Sequence, residues 1–119
     1  MFVNFSNHPS SKWSTEQLEA AKKFGDIKDI NFPAVKTTET SDSIKNLTKC
    51  YAEKILALKP DCVMCVGEFT LCYNVINILK ENNITVVAAV SDRIVKNITD
   101  ENGIEHKDVI FEFKGFREY

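Results

Sequence analysis

Apolar residues along the chain fall into short segments with two different periods. Four segments are apolar enough to form strands: residues 1–6, 27–32, 62–66 and 84–90. Three segments between them place apolar side chains three and four residues apart, which predicts helices: residues 14–25, 41–58 and 70–82. The segments 62–66 and 84–90 are continuously apolar, which is typical of central parallel strands covered on both faces.

The last quarter of the chain has a different pattern. Residues 94–99 and 104–114 flank a turn that ends in Asn102-Gly103, and Asn-Gly between two strand-like segments is a strong hairpin signal. In the second arm, Val109, Phe111 and Phe113 alternate with Ile110, Glu112 and Lys114. This alternation predicts a half-buried antiparallel strand.

This order of elements predicts one α/β domain over residues 1–119. We expect a Rossmann-like three-layer sandwich, because alternating strands and helices form right-handed crossovers and a mostly parallel sheet. The expected sheet order is 2-1-3-4, with a C-terminal antiparallel hairpin at about residues 93–115. Such an order opens a crevice between strands one and three, beyond their carboxyl ends, where ligands of open α/β sheets bind.

The loop after the first strand contains more different polar functional groups than any other loop of similar length in the sequence. Asn7, His8, Ser10, Ser11 and Lys12 supply an amide, an imidazole, two hydroxyls and an ammonium before the first helix begins. Hydroxyls and an ammonium near a helix N-terminus suit a phosphate, and the imidazole can act as a general acid or base. The alternative for His8 is a simple hydrogen-bonding role within the loop.

Two residues that end this loop have structural interpretations. Ser14 is placed to cap the first helix, with Gln17 at the capping-box position. Trp13 could stack on a nucleobase, but a hydrophobic staple onto the helix is the favoured interpretation.

Further candidates follow the third and fourth strands. Gly67, Glu68 and Thr70 occupy a strand-to-helix junction, where glycine permits close approach of a ligand to the backbone; the alternative is a tight turn with Glu68 at the helix N-terminus. Ser91 and Arg93 lie where the chain leaves the fourth strand, and an arginine there suits bidentate phosphate contact, unless it pairs with the adjacent aspartate.

Composition narrows the class of protein. The formal net charge is −2, which gives no overall basic field for long DNA or RNA, and no apolar run is long enough to span a membrane. Cys62 and Cys65 match C-x-x-C, but positions three apart on a strand point to opposite faces, so packing is favoured over redox or zinc chemistry. We expect reduced thiols in a cytoplasmic protein without a signal peptide.

Three short motifs carry a resemblance to a known group. The sequence of residues 4–9, the Thr15-Glu16-Gln17-Leu18 helix start and the 67–70 junction resemble small proteins encoded near type III CRISPR loci. These proteins are similar to stand-alone CARF-type domains and include ring nucleases, which bind cyclic oligoadenylate second messengers and linearise them in antiviral defence.

The resemblance implies a specific chemistry. A ribose 2′-hydroxyl would attack the adjacent phosphate with no metal or cofactor, and a homodimer would match a symmetric cyclic ligand. It implies that His8 is the general acid and that Ser10, Ser11 and Lys12 hold the phosphate, so that His8, Ser11 and Lys12 are the expected catalytic residues. Thr70 and Arg93 would contact or stabilise the ligand. The alternative is a non-catalytic nucleotide-sensing or assembly module with the same pocket.

Overall fold

A computed structural model describes residues 1–119. Three strands alternate with three α-helices before a final pair of strands. The strands are β1 (Phe2–Ser6), β2 (Ile27–Asn31), β3 (Cys62–Cys65), β4 (Thr85–Thr99) and β5 (Glu105–Glu118). The helices are α1 (Thr15–Lys22), α2 (Ser41–Ala57) and α3 (Phe69–Glu81).

The strands form one sheet in the order β2-β1-β3-β4-β5. The first four are parallel, and β5 runs antiparallel to β4. The predicted mixed α/β class with a mostly parallel sheet is therefore confirmed. The order differs from the expected 2-1-3-4 because the hairpin joins the same sheet as a fifth strand, rather than standing as a separate addition.

Helices cover both faces of the sheet. Its central strands are apolar at successive positions, so both of their faces must be buried. On one face, Val3, Phe5 and Val63 pack against α2 and α3. On the other, Phe2 and Met64 pack against Ala21 of α1. Cys62 and Cys65 belong to different clusters, as the strand alternation predicts, and both are free thiols.

Local capping sets where each helix begins. The Ser14 hydroxyl accepts a hydrogen bond from the Gln17 amide at 3.2 Å, which confirms the predicted cap of α1. The Thr40 and Ser43 side chains cap α2 reciprocally. The Glu68 carboxylate accepts hydrogen bonds from the Thr70 and Leu71 amides and so caps α3.

The hairpin extends well beyond the body of the protein. β4 continues from its buried first half into residues 91–99, which pair with the first half of β5 and are mostly exposed on both faces. The radius of gyration is 17.1 Å, whereas a compact domain of this length has about 13.5 Å. We call residues 91–113 the arm.

The turn at the tip of the arm has the predicted position. The Asp100 side chain accepts hydrogen bonds from the Asn102 and Ile104 amides, each at 2.9 Å, and Gly103 has a positive φ of 73°. None of the helices is long and apolar enough to cross a membrane.

Candidate functional site

A cavity of about 530 Å³ lies at the carboxyl ends of β1 and β3 and beside the middle of β4. We call it the basin. Its floor is apolar, formed by Met64, Val66 and Ala89, and its outer wall is formed by Phe111 and Phe113 of the arm. The remaining wall comes from the loop after β1 and the start of α1, with these lining residues: Asn7, His8, Pro9, Lys12, Trp13, Ser14 and Gln17.

The basin carries positive charge without an opposing carboxylate. Lys12 is its only permanently charged lining residue, and no aspartate or glutamate lines it. The Lys12 ammonium and the His8 imidazole are exposed, and neither makes a hydrogen bond or an ion pair within the chain. Both side chains are thus available to an anionic ligand. No acidic side chain in the basin lining would repel that ligand.

Three aromatic rings surround the same space. Trp13 packs edge-on against Phe2 at a centroid distance of 6.1 Å, and Phe113 packs edge-on against Phe116 at 5.1 Å. Phe111 makes no such ring contact and is 68% exposed. The predicted packing role of Trp13 is compatible with its second role as a basin wall, because the residue is only partly buried.

A buried polar network fixes the loop that carries His8. The Asn4 side chain is 1% exposed, and its amide nitrogen donates to the His8 carbonyl at 2.8 Å and to the Asp29 carboxylate at 3.1 Å. The Ser6 hydroxyl donates to the Asn4 amide oxygen at 2.6 Å. The same His8 carbonyl accepts from the Trp13 indole nitrogen at 3.0 Å. These bonds hold the backbone of His8 while leaving its ring free.

Asn4 and Asp29 are supporting residues that the sequence prediction missed. They are register partners on the paired strands β1 and β2. The asparagine in the middle of an otherwise apolar strand could have indicated such a network, because a buried polar side chain needs a hydrogen-bonding partner. The partner could not be identified without knowing which strand lies beside β1.

The two predicted serines do not line the basin. The Ser10 hydroxyl donates to the Asp29 carboxylate at 3.0 Å, and its backbone amide donates to the same oxygen at 3.1 Å. Ser11 lies with Ser10 at a more open cavity of about 660 Å³ beside Lys22 and Asp26. The structure therefore separates Ser11 from His8 and Lys12, with which the sequence had grouped it.

The 67–70 junction also lies outside the basin lining. A Cβ atom on Gly67 would fall 2.5 Å from the ring of Phe32, so this glycine is required by core packing. Glu68 and Thr70 serve the helix: the Thr70 hydroxyl donates to the Glu68 carboxylate, and backbone hydrogen bonds from the Leu71 and Thr70 amides help to lower the Glu68 pKa. In the structure this junction forms a turn and a helix cap, and Thr70 lines a separate cavity of about 560 Å³.

Ser91 and Arg93 lie on a strand and not in the expected loop. β4 continues through both positions, where Ser91 pairs with Phe113 and Arg93 with Phe111. Ser91 lines the basin, and Arg93 is one rung farther out on the same face of the arm. The exposed guanidinium makes no ion pair with Asp92, whose carboxylate is instead 3.9 Å from the Lys114 ammonium.

A pair of thiols lies beneath the site, at the end of β3. The Cys65 and Cys72 sulfurs are 3.4 Å apart, and the Tyr119 hydroxyl donates to the Cys65 carbonyl at 2.7 Å. The hydrogen bond with Cys72, together with burial, raises the Cys65 pKa. Cys65 is fully buried and packs in the core between β3 and the helices on that face.

Comparison with known proteins assigns the chain to a family. The family model described as "Uncharacterized protein MJ1673 family" matches residues 1–117, and the chain therefore belongs to this family. No curated protein and no solved structure gives a significant match.

Proposed function

We propose that this member of the MJ1673 family binds a cyclic oligoadenylate in the basin and linearises it. The observation that carries the proposal is the composition of the basin: one lysine, one histidine and three aromatic rings, with no carboxylate, beyond the carboxyl ends of parallel strands. Phosphodiesters need cations, and adenine bases stack on aromatic rings. The resemblance of residues 4–9 and 15–18 to CRISPR-associated ring nucleases points to the same ligand class.

The layered architecture supports this proposal at the level of the fold. α2 and α3 cover one face of the sheet and α1 covers the other, and this arrangement is the one expected of a Rossmann-like, CARF-like domain. Ligands of such folds lie outside the carboxyl ends of the strands. The basin occupies that position.

The proposed reaction is an intramolecular transesterification. The ribose 2′-oxygen forms a bond to the adjacent phosphorus as the bond from phosphorus to the 5′-oxygen breaks, which leaves a 2′,3′-cyclic phosphate and a 5′-hydroxyl. The proton lost by the 2′-hydroxyl passes to solvent, and the His8 imidazolium donates a proton to the leaving 5′-oxygen. A well-placed general acid contributes about 10²- to 10⁴-fold to such a rate.

The remaining basin residues would position the ligand. The Lys12 ammonium offsets the phosphate charge, which grows at the non-bridging oxygens during attack. Asn7 and Ser91 offer hydrogen bonds to ribose or base, while Trp13 and Phe111 offer stacking surfaces. Each of these side chains lines the basin.

A non-catalytic sensing module is the second candidate, and one observation favours it. The His8 ring has no hydrogen-bonding partner in the structure, whereas most catalytic histidines are oriented by a second group. Only the His8 carbonyl is fixed. In this alternative the basin binds the same cyclic nucleotide without cleaving it.

Incubation with cyclic tri-, tetra- and hexa-adenylate in EDTA, followed by chromatography, tests the proposal. We expect a linear product with a 2′,3′-cyclic phosphate end. His8→Ala should lower turnover at least 100-fold, while His106→Ala, a change in the arm tip outside the basin, should leave it unchanged. Lys12→Ala should weaken binding about tenfold, with Lys49→Ala as the matched exposed control.

The same experiment separates the candidates. If the protein binds one of the rings but forms no product, the sensing module is supported and the ring-nuclease activity is rejected. No binding of any of the three rings would refute both. Ser11→Ala should have no effect on turnover, because Ser11 lies at a different cavity.

A further inference from the structure

The Cys65 and Cys72 thiols form a pair that the proposed reaction does not use. Cys65 ends β3, Cys72 lies near the start of α3, and their sulfurs are 3.4 Å apart. Both residues are buried in the same core cluster, and both are free thiols. Close packing of the strand against the helix therefore keeps the two sulfurs in contact.

The distance between the two sulfurs suits a disulfide. A disulfide bond is about 2.05 Å long, so the sulfurs must approach each other by about 1.4 Å from their 3.4 Å separation. An approach of this size is within the range of side-chain rotation, because each sulfur is carried on a rotatable Cα–Cβ bond. The other two cysteines are placed elsewhere: Cys62 belongs to the core cluster on the opposite face of the sheet, and Cys50 is exposed on α2.

The two thiols differ in exposure and in acidity. Cys65 is fully buried, whereas 7% of the Cys72 surface is accessible. The hydrogen bond with Cys65 lowers the pKa of Cys72, while the same bond, together with burial, raises the pKa of Cys65. Cys72 is therefore the thiol that ionises first and that a small oxidant reaches first.

We propose that Cys65 and Cys72 are a reversible disulfide site, oxidised by hydrogen peroxide, that restrains the junction between β3 and α3. The Cys72 thiolate attacks one peroxide oxygen, the O–O bond breaks, and the products are a sulfenic acid on Cys72 and a hydroxide that takes up the proton released by the thiol. The Cys65 sulfur then attacks the Cys72 sulfur, and its proton passes to the departing hydroxide. Two thiols thus lose two electrons, and one peroxide becomes two waters.

The bond restrains a segment that borders the basin. Residues 66–71 lie between the two cysteines and include Val66, on the basin floor, and Glu68, the cap of α3. A covalent link between the ends of a short segment reduces the conformations that the segment can reach. Oxidation therefore reduces the mobility of the junction without adding a group to the basin. This inference does not depend on the identity of the basin ligand.

Two double variants, each with two cysteines left, test the site. C50A/C62A keeps the proposed pair, and C50A/C65A keeps Cys62 and Cys72, which lie in different core clusters. Each folded variant is treated with hydrogen peroxide, and its intact mass is measured. C50A/C62A should lose about 2 Da, the mass of two hydrogen atoms, and regain it in dithiothreitol. Its disulfide should form about tenfold faster than any disulfide in C50A/C65A, because the paired sulfurs are already in contact.

Peptide mapping of the wild-type protein provides a measurement that does not depend on the variants. Cleavage after Glu68 separates Cys65 from Cys72, so the two fragments should stay joined after peroxide treatment and separate on reduction. Amide hydrogen exchange across residues 66–71 should be slower in the oxidised protein, with the turn at residues 100–103 as the unchanged reference. Far-UV circular dichroism and the urea midpoint of each reduced variant report whether it is folded.

Four results would overturn the inference. The first is no disulfide in folded C50A/C62A at a peroxide concentration that oxidises the exposed Cys50 of the wild type, and the second is an equally fast disulfide in C50A/C65A. The third is a disulfide that forms only in urea, and the fourth is oxidation of Cys72 to a sulfinic acid, a gain of about 32 Da, without a disulfide. A disulfide in a protein that binds no cyclic oligoadenylate would refute the proposed function alone. Ligand cleavage by a protein that forms no disulfide would refute this inference alone.

Discussion

Gly67 lies directly against the ring of Phe32, so closely that a Cβ atom at position 67 would be 2.5 to 2.6 Å from three of its carbon atoms. Phe32 follows β2 and packs against Phe5 of β1 at a centroid distance of 4.7 Å, with the two rings tilted by 32°. The junction after β3 is therefore shaped by an aromatic side chain from a different part of the chain. This contact explains a glycine that the sequence had associated with a ligand.

Gly67→Ala should destabilise the protein by about 1–3 kcal/mol, the usual cost of overpacking a core. The free energy of unfolding, measured in urea, reports the change. A second variant tests the cause: Phe32→Leu in the Gly67→Ala background should recover part of the loss, because a smaller side chain makes room for the new methyl group. Equal losses with and without Phe32→Leu would contradict the packing explanation.

Asn4→Ala should cost about 2 kcal/mol of unfolding free energy, because it leaves the buried Ser6 hydroxyl and the His8 carbonyl with fewer partners. Amide hydrogen exchange should also become faster across residues 7–13. Asn46→Ala, at an exposed position of α2, serves as the control and should change neither measurement. Unchanged exchange in Asn4→Ala would show that the network does not hold the loop.

Glu68→Gln should destabilise α3 at neutral pH by about 0.5–1 kcal/mol, because the ionised carboxylate accepts two backbone amides at the helix N-terminus. These hydrogen bonds lower the folded-state pKa of Glu68 below its usual value. Stabilisation by the carboxylate is therefore complete above the unfolded-state pKa and is lost as the pH falls through the folded-state pKa.

Urea unfolding of wild type and Glu68→Gln at neutral pH and in acid checks this dependence. The difference between them should shrink as the pH is lowered. Glu81→Gln changes the same residue type at the opposite end of α3, where a carboxylate opposes the helix dipole, and it should cause no loss. A difference that grows in acid would contradict the capping role.

Tyr119→Phe should cost about 1 kcal/mol, since it removes the 2.7 Å hydrogen bond from the hydroxyl to the Cys65 carbonyl. Tyr73→Phe, at a side chain that is 66% exposed and makes no hydrogen bond, is the matched control. Burial raises the pKa of Tyr119 to about 12. The stabilising effect should therefore be complete below about pH 10 and disappear as the pH rises through 12, which unfolding at several alkaline pH values would detect.

Apolar patterning was sufficient to place most elements of the body. The predicted helix over residues 41–58 is found as Ser41–Ala57, and the predicted strand over 62–66 as Cys62–Cys65. These segments were predictable because a helical stripe or a continuous apolar strand reflects a constraint within the segment itself. Ser14 and the Asn102-Gly103 turn were predictable for the same reason, since a cap and a tight turn involve residues only two to four positions apart.

The candidate site was predicted only in part. His8, Lys12, Asn7 and Ser91 line one basin. The first three follow the carboxyl end of β1 as expected, whereas Ser91 lies within β4. Ser10 and Gly67 could not be assigned from sequence, because Asp29 and Phe32 determine their roles and both lie on or just after a neighbouring strand. The aromatic wall from Phe111 was also missed, because the strand register that brings it to the basin spans the whole hairpin.

The sequence by itself thus determined the class of fold, the helix starts, the hairpin turn and the loop that carries His8 and Lys12. Only the tertiary structure decided which polar groups are already satisfied and which remain available to a ligand. It also showed that β4 continues without interruption into an arm, because pairing with β5 supplies hydrogen bonds that a single strand leaving the sheet would lack. The periodicity of a segment indicates which of its own side chains are buried. A binding site depends instead on which distant segments the fold brings into contact.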